Sequence, residues 1–210
     1  MVDMLTVDPQ NLKGRHISRA VEVLRSGGVI IYPTDTIYGL GCDITNKEAI
    51  DRILQIKGRS HNKPMSFVCA DLTNVSKYAH VSNHAYRILK RHLPGPYTFV
   101  LPATRETPRI LQTKRKTVGL RVPDHPVPIR LVQELGNPIL STSANRSDED
   151  VLTDPEELKG MLGAGVDLML ECGRLPVMPS SVISLLDDRV EILREGQGDL
   201  TDLRREAAGE

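Results

Sequence analysis

Three short strand-like runs close this chain with no helix between them: "VDLMLECG" (166–173), "SSVISLL" (180–186) and "RVEILREG" (189–196). Upstream, aliphatic runs alternate with amphipathic stretches. Alternation alone would spell a parallel, doubly wound sheet. Consecutive strands demand antiparallel neighbours, so the expected class is α/β with a mixed sheet. The helical stretches are well marked. "HISRAVEVLRSGG" spaces Ile17, Ala20, Val21 and Leu24 at helical intervals and stops at Gly27-Gly28. "TNKEAIDRILQIKGR" opens with Thr45 and Glu48, a capping-box pair. "SNHAYRILKRHL" begins at a capping Ser82, "VPIRLVQELG" ends on Gly136, and "TDPEELKGMLG" has Thr153 as expected cap with Pro155 in its first turn. Further strands are expected in "VIIYPTDT", "PMSFVCA", "YTFVLPA", "VGLRVP" and "NPILSTS".

The core these elements share must be aliphatic, because Trp is absent and Phe occurs twice among 210 residues that are 40% hydrophobic. Lys plus Arg and Asp plus Glu balance at 27 each, so no global field advertises nucleic acid. Cys42, Cys69 and Cys172 are far apart and form no CxxC pair, so neither a disulfide framework nor a zinc site is indicated and a reduced, cytoplasmic protein is expected. The start, "MVDMLTVDPQNLKG", has no long apolar run, so no signal peptide is expected. No segment approaches the about 20 apolar residues of a membrane span. Residues 1–14 are expected as an N-terminal extension, 15–200 as one domain and 201–210 as a flexible tail.

Four stretches end an apolar element in polar groups that packing does not require. In "YPTDTIYGLGCD", Pro33 halts a strand before Thr34, Asp35 and Thr36, while Gly39 and Gly41 allow close backbone approach. An Asx or ST turn would also account for it. In "KGRSHNKP", Lys57 and Arg59 sit at a helix C-terminus, where the macrodipole favours cations. They could equally clamp phosphate, with His61 and Lys63 extending the grip. In "KTVGLRVPDHP", Arg121 interrupts an apolar run and must face solvent, a carboxylate or a ligand. In "STSANRS", Ser141, Thr142, Ser143 and Asn145 crowd a strand's C-terminal end, either as a turn or as a ligand floor. No Walker loop or GxGxxG is present, and His80, His84, His92 and His125 are scattered. A metal site built only from protein groups is therefore not expected.

Taken in order, "GGVIIYPTDTIYGLGCD", "KGR", "PGPYTFVLPA", "VGLRVPDHP", "STSAN" and "REG" resemble the YrdC-like family, whose fullest members are threonylcarbamoyl-AMP synthases. The resemblance runs from about Ala20 to Gly196. Its KxR and SxN signatures stand here as Lys57-Gly58-Arg59 and Ser143-Ala144-Asn145. The resemblance implies a twisted mixed sheet flanked by helices around a large concave cleft. It implies a nucleotidyltransferase that joins L-threonine, bicarbonate and ATP with Mg2+ into threonylcarbamoyl-adenylate, releasing pyrophosphate. Partner transferases would pass the product on for tRNA threonylcarbamoyladenosine modification. By the same resemblance Lys57 and Arg59 would be catalytic, and both would bind ATP with Thr117, Ser143, Asn145 and Arg194. Arg121 would take the threonine carboxylate, with Thr34, Thr36, Tyr38, Thr142 and Ser180 around the amino acid.

Three features depart from the common synthase pattern. The loop "RSDEDVLTDPEE" carries acids at Asp148–Asp150, Cys69 stands where many synthases have histidine, and "LQTKRKTVGLRVP" and "TDPEELKGML" resemble the YciO branch. The alternatives are therefore an RNA- or ribosome-associated paralog, binding tRNA or double-stranded RNA through Arg87, Lys90, Arg91 and Lys114-Arg115-Lys116, or a carbamoyl-adenylate enzyme acting on another amine. Solvated helix and loop faces also account for those cations.

Overall fold

Side chains that alternate along each strand send apolar groups to both faces of one sheet. The computed structural model describes residues 2–58, 65–108, 111, 115–146 and 150–209. In chain order the elements begin β1 (Asp3–Thr6), α1 (Gly14–Arg25), β2 (Ile30–Tyr32), β3 (Gly39–Asp43), α2 (Lys47–Lys57), β4 (Ser66–Val68), α3 (Leu72–Tyr78) and α4 (Asn83–His92). They continue β5 (Tyr97–Pro102), β6 (Thr117–Arg121), α5 (Pro126–Leu135), β7 (Ile139–Ser143), α6 (Pro155–Leu162), β8 (Leu168–Glu171), β9 (Ser181–Ser184), β10 (Glu191–Arg194) and α7 (Thr201–Ala208). The ten strands form one sheet in the order β1-β8-β2-β3-β7-β4-β6-β5-β9-β10. Pairs β1·β8, β2·β8, β4·β6 and β5·β9 are parallel and the rest antiparallel, so the sheet is mixed as expected.

One face carries Ile31, Leu40, Phe67, Phe99, Leu120, Leu140, Met169 and Ile183 against buried residues of α2, α3, α4, α6 and α7. The other carries Ile30, Tyr32, Val68, Ile139, Leu168 and Leu170 against Ile17, Val21 and Leu24 of α1 and Val127, Leu131 and Val132 of α5. Among the described residues this second core draws nothing from β5, β6, β9 or β10. The register shows what occupies that half-face instead. Ser66 lies opposite both Ser141 and Gly119, Val68 opposite Arg121, and Pro102 opposite Thr117. Val182 lies opposite both Thr98 and Arg194. The second face is thus apolar where α1 and α5 cover it and polar beyond β4.

Several local expectations change. Asn46, not Thr45, caps α2 by accepting from Ala49 N at 2.9 Å, while the Thr45 hydroxyl donates to Asp43 Oδ1. Asp154, not Thr153, caps α6 through Glu156 N. Asp3–Thr6, expected within an extension, form an edge strand parallel to β8. Residues Thr201–Ala208, expected as a tail, form a helix because Leu203 is fully buried against the first core. Gly39–Asp43 form a strand despite two glycines. No helix among the described residues is long and apolar enough to cross a membrane.

Candidate functional site

At the end of β7 the chain turns sharply: Ala144 N donates to Tyr38 O and Asn145 N to Ser143 O, both at 2.9 Å. This turn meets the last residue of α2. Lys57 is 1% exposed, and its Nζ donates to Ser143 O at 2.9 Å, to Asn145 Oδ1 at 2.6 Å and to Asn145 O. Ser143 Oγ donates to Asn145 Oδ1 at 2.6 Å. Two short motifs separated by 86 residues are therefore one hydrogen-bonded unit. A buried ammonium needs such oxygens, and the C-terminus of α2 adds its dipole. Arg59, His61 and Lys63 lie outside the described residues, as do Asp148 and Lys114.

A second cluster forms around Arg121, 8% exposed on β6. Its Nη2 donates to Asp35, to Thr36 Oγ1 at 2.8 Å and to Thr34 Oγ1 at 3.4 Å. The Nε of the same side chain is buried and has no partner among the described residues. Thr34 Oγ1 also accepts from Thr36 N and donates to Ile37 O at 2.7 Å, so the ST turn exists and serves the cluster. Asp35 Oδ2 accepts from Asp124 N at 3.0 Å, and Gln197 Nε2 donates to Asp35 O at 3.1 Å. Alongside, Ser180 Oγ and Thr98 Oγ1 lie 2.9 Å apart, and Arg194 Nη2 donates to Ser180 O at 2.8 Å. Burial first, and then the charge of Arg121, hold Arg194 below its ordinary pKa, which marks the two guanidiniums as neighbours.

The expected residues divide by where the fold places them. Thr34, Thr36, Arg121, Ser180 and Arg194 gather at one place, and Lys57, Ser143 and Asn145 at another. Thr117 is buried on β6, two residues from Gly119 and on the same face as Arg121. Thr142 is half-buried and alternates to the opposite face from Ser141 and Ser143. Tyr38 is not brought to the Arg121 cluster. Its ring sits in the first core and its hydroxyl donates to Gly173 O at 2.6 Å while accepting from Cys172 N. Asp35, Thr98 and Gln197 carried no assigned role. Only Asp35 had a signal in the sequence, because a guanidinium inside an apolar strand calls for a carboxylate.

Other groups are accounted for without chemistry. Burial pushes the Cys42 and Cys69 thiols well above their ordinary range, so both stay protonated. On α4, Arg91 pairs with Glu206 of α7, and this hydrogen bond holds the Glu206 carboxyl below its ordinary range. A cavity of about 460 Å³ opens at the C-terminal ends of β4 and β6, lined chiefly by Ala70, Leu72, Leu93, Val122, Pro123 and Ile129. None of the expected site residues lines it.

A family model, Sua5_yciO_yrdC, described as telomere recombination, matches residues 22–196. The Escherichia coli protein YciO is 44% identical over 202 residues, covering 95% of this chain and 98% of its own. Its crystal structure superposes with a TM-score of 0.92 over 97% of this chain and 100% of that one. A threonylcarbamoyl-AMP synthase of Vibrio vulnificus is 35% identical over 158 residues, covering 74% of this chain and 85% of its own. The structure of P. abyssi Sua5 complexed with L-threonine gives a TM-score of 0.89 at 26% identity, covering 98% of this chain and 60% of that one.

Proposed function

The chain belongs to the Sua5/YciO/YrdC family, and from that premise we propose that it is a threonylcarbamoyl-AMP synthase. It would join L-threonine, bicarbonate and ATP into threonylcarbamoyl-adenylate and release pyrophosphate, with Mg2+ entering as part of the ATP substrate. One observation carries this reading: two cation-centred clusters lie toward opposite ends of β7 and β6, two strands separated by β4. Ser141, Ser66 and Gly119 share one register level. Ser143 lies two residues to one side of it and Arg121 two to the other. That offset is about 13 Å along the strands and about 10 Å across them. A ligand with an amino acid at one end and a nucleotide at the other can bridge such a span.

The roles follow from residue chemistry. The Arg121 guanidinium matches a carboxylate fork, and Thr34, Thr36 and Ser180 supply hydroxyls for the amino-acid side chain. Threonine's amine attacks CO2 derived from bicarbonate and loses a proton, giving a carbamate. A carbamate oxygen then bonds to the α-phosphorus of ATP while the bond from that phosphorus to the bridging oxygen breaks, and pyrophosphate leaves. Little covalent chemistry falls to the protein, which must align reactants and neutralise phosphate charge. Lys57 with Arg59 would meet the phosphates. Ser143 and Asn145, fixed by Lys57, would orient the nucleotide with Thr117, whereas Arg194, expected on the nucleotide side, stands with Ser180 at the amino-acid end. The threonine held by P. abyssi Sua5, whose fold this chain shares, supports the amino-acid end.

The test is pyrophosphate release by the purified protein with ATP, Mg2+ and bicarbonate, with and without L-threonine. A threonine-dependent signal that Arg121→Ala abolishes is expected, with serine and glycine much poorer substrates. A signal indifferent to threonine would overturn the assignment.

A further inference from the structure

The Arg121 guanidinium is only half satisfied by its neighbours. Its Nε and Nη2 lie on one edge, the edge a carboxylate grips side-on with both oxygens. Nη2 is engaged by Asp35 and Thr36, yet the adjacent Nε is buried and has no partner among the described residues. Asp35 cannot complete the fork where it stands, because its second oxygen accepts from Asp124 N at 3.0 Å. The two side chains are 10% and 9% exposed, so water screens their attraction poorly.

We propose that Asp35 is a resident carboxylate that occupies Arg121 while the amino-acid end of the site is empty, and that an incoming carboxylate must take its place. Asp35 thereby sets how tightly and how selectively carboxylate ligands bind. The inference rests on the reading of Arg121 as the carboxylate-binding group. An arriving carboxylate gains the unpartnered Nε as well as Nη2, so it makes two bonds where Asp35 makes one. The Asp124 amide on its Oδ2 and the Gln197 contact to its carbonyl hold the Asp35 loop in place during the exchange. The charges also suit an exchange. Arg194 lies near enough to feel Arg121, so the positive charge around Arg121 exceeds that of one guanidinium and favours an arriving anion. A neutral carboxamide cannot repay the broken ion pair and so leaves Asp35 in place, which makes its binding independent of the Asp35 charge.

The test compares the wild-type protein with Asp35→Asn, which keeps an acceptor for the Asp124 amide and removes the charge. Affinities for L-threonine, L-threoninamide and acetate are read from the Arg121 Nε–H resonance and by calorimetry at fixed ionic strength. Threonine and acetate should bind about three- to tenfold tighter to Asp35→Asn, with threoninamide unmoved. Asp35→Ser, a smaller residue that keeps a hydroxyl acceptor, should shift the same two ligands and guards against a fold defect in one variant. Weaker or unchanged carboxylate binding in both variants overturns the inference, and so does an equal shift for threonine and threoninamide. The two readings separate cleanly. Acetate tightened in the variants with no threonine binding sinks the substrate and leaves Asp35 standing. Threonine-dependent turnover with carboxylate affinity indifferent to Asp35 does the reverse.

Discussion

Single side chains hold the site together, and their removal should be felt in stability as well as activity. Lys57→Met keeps the buried stem and deletes the ammonium that gathers Ser143 and Asn145. Buried acceptors left without a donor should cost about 2 kcal/mol, or roughly 4–8 °C in melting temperature for a chain of this size. Threonine-dependent pyrophosphate release should disappear with it. A scan by differential calorimetry beside the turnover assay checks both, and an unchanged melting point would mean that the motifs are not joined in solution. Tyr32 makes a different prediction. Its hydroxyl donates to Ser141 Oγ at 2.6 Å, and burial pushes its pKa from 10.0 up to about 12. The unfolded chain therefore loses this proton from pH 10 upward, while the folded chain keeps it to about pH 12. Its contribution is full below pH 10 and falls as pH rises through that window, by about 3 kcal/mol. Urea midpoints at pH 9 and pH 11 should converge in Tyr32→Phe relative to wild type. The same variant should lose about 1 kcal/mol at neutral pH from the missing hydrogen bond. At this scale the sequence was informative about residue type and silent about partners. Arg121 had to face solvent, a carboxylate or a ligand, and the fold supplies Asp35. Nothing in the spacing said that Lys57 would be buried under Asn145.

At the scale of elements, glycine separates strands that merely exist from strands that approach closely. A Cβ on Gly41 would lie 2.7 Å from Leu140 O and 2.6 Å from Ile139 Cγ2, and one on Gly39 would meet the Tyr32 ring at 2.9 Å. The close pairing of β3 with β7, and the room for Tyr32 to reach Ser141, depend on these absences. Gly41→Ala should destabilise by about 1–3 kcal/mol. Gly160 lies within α6, and a Cβ there would meet nothing inside 4 Å. It should respond oppositely: Gly160→Ala is expected to stabilise by about 0.5–1 kcal/mol. Chemical denaturation of the two variants side by side tests the contrast. The same glycines explain why β3 was illegible, since Gly39 and Gly41 read as breakers when viewed along the chain. The caps of α2 and α6 were each displaced by one residue, because Thr45-Asn46 and Thr153-Asp154 both offer two suitable side chains. The short α3 carries Thr73, Asn74 and Ser76, which give little helical signal without the burial of Val75 and Tyr78. Long runs such as α1, α4 and α5 were legible because their apolar stripes face a single core.

For the whole molecule, the mixed sheet followed from consecutive strands near the end of the chain, but its order did not. β1 pairs with β8 across most of the sequence, and no local pattern records such a partnership. The site has the same character. Thr34–Thr36, Arg121, Ser180 and Arg194 come from separate stretches, legible through the order of their motifs, while their convergence is a product of the fold. Asp35 and Thr98 lie within two of those motifs but carried no role of their own, and Gln197 lies just beyond the last motif.

Product chemistry separates a synthase from every other use of this pocket, so the most direct measurement is mass spectrometry of the reaction with 13C-bicarbonate, L-threonine, ATP and Mg2+. A threonylcarbamoyl-adenylate carrying the label, formed only with threonine and lost in Arg121→Ala, is the predicted result. A folded, ATP-binding protein that makes no labelled adenylate, or makes it equally well without Arg121, would contradict it.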